Sequence, residues 1–151
     1  MASKLDYAWA AGIVDGEGAI SMTRARVGVN RRTTPSFQVR ISVRMTHEPT
    51  IRRLHAIFGG TVTVAKARDT ERHKPAFGWY AGDLLTVEAL KKIRPYMTTK
   101  KKQAELVLEY RERCCPPRRL GRGMPCKASL VQMRQRYFDR LSVLNRKGPV
   151  R

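Results

Sequence analysis

Asp15 and Glu17 stand two residues apart in Asp15-Gly16-Glu17-Gly18, where a run of small and apolar residues from Ala8 stops and an apolar strand begins. Carboxylate oxygens, together with phosphate oxygens, are what a hard divalent cation such as Mg2+ takes as ligands. Glu17 falls at the end of a helical pattern, where the macrodipole disfavours negative charge, and a bound cation would relieve that. Asp-Gly is also ordinary turn chemistry. Taken alone, these residues leave a helix cap with its turn and a metal-binding acid equally open.

A second group is set by alternation. In Ser36–Met45, Phe37, Val39, Ile41, Val43 and Met45 alternate with Gln38, Arg40, Ser42 and Arg44, the period of a strand with one face in a core. Its other face carries Arg and Gln, the side chains that make paired hydrogen bonds to guanine and adenine edges in the major groove. Ser21 and Thr23 on the preceding strand and Lys66 and Arg68 on a third are expected on the same open face. Arg24 and Arg26 fit the alternation from Ile20 poorly, so either that strand is bulged or they lie beyond its buried part.

The elements that must hold these groups can be read along the chain. A helix is expected over 5–16, with Ser3 or Asp6 at its start as a cap. Strands follow over 19–29 and 36–46, then an amphipathic helix over 48–58 (Ile51, Leu54, Ile57, Phe58) ended by Gly59-Gly60. A second strand pair over 61–68 and 76–81 leads to a helix over 83–93 and another over 99–114, closed by Pro116-Pro117. A basic linker and a last amphipathic helix (Leu130, Met133, Tyr137, Leu141, Leu144) complete the chain. The order αββαββα with a helical tail is α+β, one antiparallel sheet with helices on one face. The expected division is a core over 1–115 and a basic linker and helix over 116–151.

On the first helix Ala8, Ala11, Gly12, Asp15 and Gly16 form a stripe of small residues. Such a stripe lets a second helix approach closely, and the expected partner is its own copy across a two-fold axis. Leu5, Trp9 and Ile13 are then left for the chain's own core. The chain's 151 residues carry 31 Lys and Arg against 12 Asp and Glu, a net charge of +19, which implies a polyanionic partner. Its longest apolar run, Tyr7 to Val14, is far short of a membrane span. Cys114, Cys115 and Cys126 have no nearby histidine and form no disulfide framework, which fits a reduced intracellular compartment.

Ala10-Ala11-Gly12-Ile13-Val14-Asp15-Gly16-Glu17-Gly18 resembles the motif of the LAGLIDADG homing endonucleases position by position, with Ala10 for the leading Leu, Gly16 for Ala and Glu17 for the final Asp. The resemblance extends over the αββαββα order to about residue 115. It implies a four-stranded saddle-shaped sheet in the DNA major groove and motif helices (Ala8, Ala11, Gly12, Asp15) packed at a dimer interface. It further implies Mg2+ bound at Glu17 and the Gly16 backbone, and both strands cut across the minor groove. It also implies a basic residue near the phosphate, for which Lys100 is the choice and Lys102 the second. A polar residue contacting the attacking water is implied as well, and His47 stands in that place, with Arg52 or Arg53 as a further phosphate contact.

Only one motif copy is present, so the chain supplies half a site. The expectation is a homodimeric, Mg2+-dependent endonuclease that makes double-strand breaks in a long, near-palindromic DNA target of about 20 base pairs. A non-cleaving DNA-binding module and an RNA-binding intron maturase are the alternatives on the same fold.

Overall fold

The structure, a computed structural model, describes residues 1–28, 34–65, 74–115 and 126–146. The first helix, α1 (Lys4–Glu17), starts at a capping box: the Asp6 N–H donates to Ser3 Oγ at 3.2 Å, and the Ser3 N–H donates to Asp6 Oδ2 at 2.9 Å. Two orphan amides are thereby satisfied reciprocally. Ser3 is the cap; Asp6 also accepts from Arg53, and that bond above all brings its carboxyl down to about 2.

Strands β1 (Gly18–Ala25) and β2 (Ser36–Met45) pair antiparallel, and α2 (Glu48–Phe58) follows with Gly59 at φ +74° as its stop. Strands β3 (Thr61–Ala65) and β4 (Ala76–Gly82) form the second pair, and α3 (Asp83–Ile93) leads through a single 3-10 turn, Arg94–Tyr96, to α4 (Lys101–Cys114). The last helix is α5 (Ala128–Asn145). The four-stranded sheet runs β1-β2-β4-β3, entirely antiparallel. The two basic-faced and aromatic strands, β2 and β4, are therefore central.

The helices cover one face of this sheet. Ile20, Met22, Phe37, Val39, Ile41, Val43, Trp79 and Ala81 are buried beneath Val14, Ile51, Leu54, Leu90, Ile93 and Val107. Each large aliphatic side chain so placed contributes about 1.5–3 kcal/mol. Tyr137 and Leu141 of α5 join the same core, and Asn145 donates from Nδ2 to the Ile20 carbonyl of edge strand β1 at 2.8 Å. The α+β architecture expected from the element order is the one observed.

Three local expectations change. Strand β1 ends at Ala25 with its register to β2 unbroken down to Ala25 opposite Ser36. There is no bulge, so Arg24 simply lies past the buried part of its face and Arg26 beyond the strand. The other two concern α1. Ala11 has no exposed surface, and with Ala10 and Val14 it packs into the chain's own core. Leu5 is 81% exposed, while Trp9 and Ile13, as expected, pack against the core, at its half-buried edge. Helical geometry explains the swap: Leu5, Ala8, Trp9, Gly12, Ile13 and Gly16 share one face. The inward face is Ala10, Ala11 and Val14, small enough to let the helix sit close to the sheet, with Tyr7 packed at its edge.

Candidate functional site

Asp15 is not spent on the outer face of α1. Its Oδ2 accepts from the backbone N–H of Thr98 at 2.6 Å and of Thr99 at 3.2 Å, and its Oδ1 accepts from the N–H of Lys100 at 2.9 Å. These amides belong to the turn that leads into α4, so a carboxylate 85 positions earlier in the chain holds that turn and the Lys100 N–H at the helix's threshold. Desolvation pushes the Asp15 carboxyl up, but the three backbone N–H bonds and the Lys100 charge outweigh it and hold it below the usual carboxylate range.

The same junction recruits the Lys100 side chain. Its Nζ donates to the Asp15 carbonyl at 2.6 Å and the Val14 carbonyl at 3.1 Å. These are carbonyls of α1's last turn, the negative end of its dipole. The C-terminus of α1 thus abuts the N-terminus of α4, and an ammonium group sits between them. Asp15 is thus engaged by three backbone N–H groups and the Lys100 charge, and the Lys100 ammonium satisfies carbonyls at the α1 C-terminus.

Glu17 itself is the last residue of α1, exposed, and among the described residues its carboxylate has no hydrogen bond or ion pair. Among the described residues no group of three or more His, Cys, Asp or Glu side chains forms a metal cluster. The donors that one chain offers here are the Glu17 carboxylate and the terminal carbonyls of α1, including Gly16. All are oxygens, which fits a hard divalent cation in kind. They are too few to enclose one, so the remaining ligands would have to come from phosphates, waters or a second copy.

The open face of the sheet is continuous with this end of α1, because Gly18 pairs with Val43 and the strand β2 residue Arg44 follows directly. On that face the register sets Thr23 opposite Gln38, Ser21 opposite Arg40 and Ala19 opposite Ser42. Gln38, Arg40 and Arg44 are exposed, and Ser42 and Ser21 are partly so. The side chains of Gln38 and Arg44 have no partner, and Thr23 makes only a long 3.5 Å bond to the Gln38 carbonyl. Lys66 and Arg68, expected on the third strand, lie outside the described residues.

His47 occupies the N-cap position of α2, at the end of β2, and its Nδ1 is hydrogen-bonded to Thr50 Oγ1 at 2.8 Å. Its side chain makes no other hydrogen bond and does not touch Glu17 or Lys100 through one. Arg52 pairs with Glu48 and Arg53 with Asp6. The Arg53 guanidinium also lies 4.2 Å over the Trp9 ring. Sequence reading missed Tyr80, Thr61 and Thr63, which the pairing of β3 and β4 brings to the open face beside Ser42 and Arg44. The available signal was Gly78 and Gly82, each two residues from Tyr80 in β4.

A cavity of about 590 Å³ between α4 and α5 is lined by Lys102, Glu105, Leu106, Glu109, Asp139, Arg140, Val143 and Leu144. Of the candidate site residues it holds only Lys102, the second choice for the phosphate contact, which is thereby set apart from Glu17, Lys100 and the sheet face. The chemistry therefore belongs to an open surface rather than to a pocket.

An acid closing a small-residue helix at the end of an open, basic, four-stranded antiparallel sheet defines a class, and the chain has the fold of the LAGLIDADG homing endonucleases. Among solved structures it is similar to the homing endonuclease I-CvuI in complex with its target in the presence of calcium, with a TM-score of 0.74, 23% identity, and coverage of 98% of this chain and 86% of that one. It is also similar to an archaeal intron-encoded homing endonuclease, I-Vdi141I, complexed with DNA, at a TM-score of 0.65 and 12% identity over 96% of this chain and 87% of that one. A third similarity is to the meganuclease I-SmaMI bound to uncleavable DNA, at a TM-score of 0.57 and 20% identity, covering 98% of this chain but 47% of that one. No protein-family model and no curated protein matches the sequence. Among the described residues no helix is long and apolar enough to cross a membrane.

Proposed function

We propose that this chain is a site-specific DNA endonuclease that acts as a homodimer with Mg2+ and makes double-strand breaks in a long, near-palindromic target. The observation that carries the reading is the exposed Glu17 carboxylate, without a partner among the described residues, at the end of the helix whose Val14 and Asp15 carbonyls Lys100 Nζ contacts, continuous with the basic open face of the sheet. The net charge of +19 supports a polyanionic partner.

Each group has a part in this reading. Glu17 and the Gly16 carbonyl would hold the cation, which would supply Lewis-acid polarisation of a phosphate and activation of a water. Lys100 Nζ has three N–H donors; two face the Val14 and Asp15 carbonyls, and the third is left for a phosphate oxygen as its charge grows. His47, with Nδ1 engaged by Thr50, keeps Nε2 for a water. Gln38, Arg40, Ser42, Arg44, Ser21 and Thr23 face the major groove.

The outer face of α1 supports the dimer. A Cβ built at Gly12 or Gly16 meets nothing within 4 Å, so the chain's own packing does not demand glycine there. A second copy of α1 against Ala8, Gly12 and Gly16 would bring two Glu17 carboxylates near the axis, one for each DNA strand. The ten residues of β2 span about 33 Å, close to one turn of DNA. Two sheets end to end then cover about 20 base pairs.

The test is cleavage of a plasmid library of candidate sites with Mg2+, read by sequencing the ends. Cut sites should be single and near-palindromic. Glu17→Gln should bind the same DNA without nicking or cutting it, and Ca2+ should support binding by the wild type with little cleavage. Normal cutting by the Gln variant would reduce Glu17 to a helix terminus. Binding without any cleavage by the wild type would leave a DNA-binding module, and preference for a structured RNA would favour the maturase.

A further inference from the structure

Strand β4 reads Gly78-Trp79-Tyr80-Ala81-Gly82, so Tyr80 has a glycine two residues away on each side, on its own face of the sheet. A Cβ at Gly78 would lie 2.8 Å from the Tyr80 hydroxyl oxygen, 2.9 Å from its Cε2 and 2.9 Å from Thr63 Oγ1. The phenol ring therefore fills the space above Gly78 that any other side chain would claim. Gly78 is buried although it faces the open side, because that ring lies over it.

On the neighbouring strand, Arg40 pairs with Gly82 and Ser42 with Tyr80. No side chain at Gly82 blocks the way, and the Arg40 guanidinium carbon sits 4.1 Å from the Tyr80 ring centroid. Among the described residues neither a carboxylate nor a hydrogen bond holds Arg40; the Tyr80 ring is what positions it. A guanidinium stacked on an aromatic face keeps its N–H donors free at the rim. Those donors match O6 and N7 of guanine.

We infer that Tyr80 is a positioning residue of the recognition surface, which holds Arg40 in one orientation so that each protomer reads a guanine at one place in its half of the target. This rests on the endonuclease reading. A side chain that is ordered before it meets DNA loses less conformational freedom on binding, so the ring acts through Arg40 and is no base contact itself.

Two measurements test it. In the free protein, the Arg40 side-chain proton resonances should be shifted upfield by the ring in the wild type and in Tyr80→Phe, and should return to ordinary positions in Tyr80→Leu. Binding is then profiled over target variants with every base pair changed in turn. Tyr80→Leu should lose about threefold of the guanine preference at one symmetry-related pair of positions. Arg40→Ala should lose about tenfold at the same pair, the double variant no more than Arg40→Ala, and Tyr80→Phe nothing. A Tyr80→Leu profile equal to the wild type, or an equal loss at every position, overturns the inference, as does an unshifted Arg40. Absence of any specific DNA binding by the wild type overturns the endonuclease reading and this inference with it, whereas the first outcomes overturn this inference alone.

Discussion

Replacing Asp15 with alanine removes the acceptor for three backbone amides in the turn that leads into α4, those of Thr98, Thr99 and Lys100. A hydrogen bond to a charged acceptor is worth about 1.5–3 kcal/mol net where water cannot replace it, and much less where it can. Two of the orphaned amides are near solvent and regain water, while the Lys100 N–H is partly buried and does not fully do so. The loss should therefore be about 2 kcal/mol, which for a chain of this size lowers Tm by about 4–8 °C. Thermal melting and urea titration at constant m-value measure it. Asp15→Asn, which keeps one carbonyl oxygen but no charge, should lose about half as much. The pH dependence adds an independent check. The folded-state pKa of Asp15 is depressed by the backbone N–H bonds and Lys100, which outweigh desolvation. Its contribution is thus fully present above the unfolded value of about 4 and is lost as pH falls through the folded value. The stability gap between wild type and Asp15→Asn should be constant near neutrality and shrink on acidification below pH about 4. A Tm within a degree of the wild type, or a gap that does not close in acid, would refute this role for Asp15.

Lys100→Met should slow cleavage about 100-fold while changing DNA affinity little, because its charge matters most as the phosphate gains negative charge; equal losses in both would make it an ordinary backbone contact. Arg44→Ala should cost about 1–3 kcal/mol at particular base pairs, seen as a relaxed preference in a binding profile, whereas a uniform loss at all positions would remove the sheet face as the reader. Gly12→Leu should leave the monomer folded, since a Cβ there meets nothing within 4 Å, yet abolish the dimer and cleavage; sedimentation of the wild type as a monomer that still cuts both strands would overturn the two-fold arrangement.

Much of this protein is local and therefore legible in its sequence. The Ser3–Asp6 capping box, the strict alternation of Phe37 to Val43 and the Ile51, Leu54, Phe58 stripe each depend on neighbours within one helical turn or one pleat. From these the element order, the basic open face and the place of Glu17 at a helix end follow directly. Only the tertiary structure decided which side of α1 faces inward. Alanine and glycine bury too little apolar surface to orient a helix by their spacing, so Ala10, Ala11 and Val14 are identified as core only by what packs on them. The pairing of Asp15 with the amides of Thr98, Thr99 and Lys100, and the return of Lys100 Nζ to α1, join groups more than eighty residues apart. The stacking of Arg40 on Tyr80 depends likewise on β2 lying beside β4. Periodicity reports how each segment divides between core and solvent; which charges then meet across elements is set by the packing that brings those elements together.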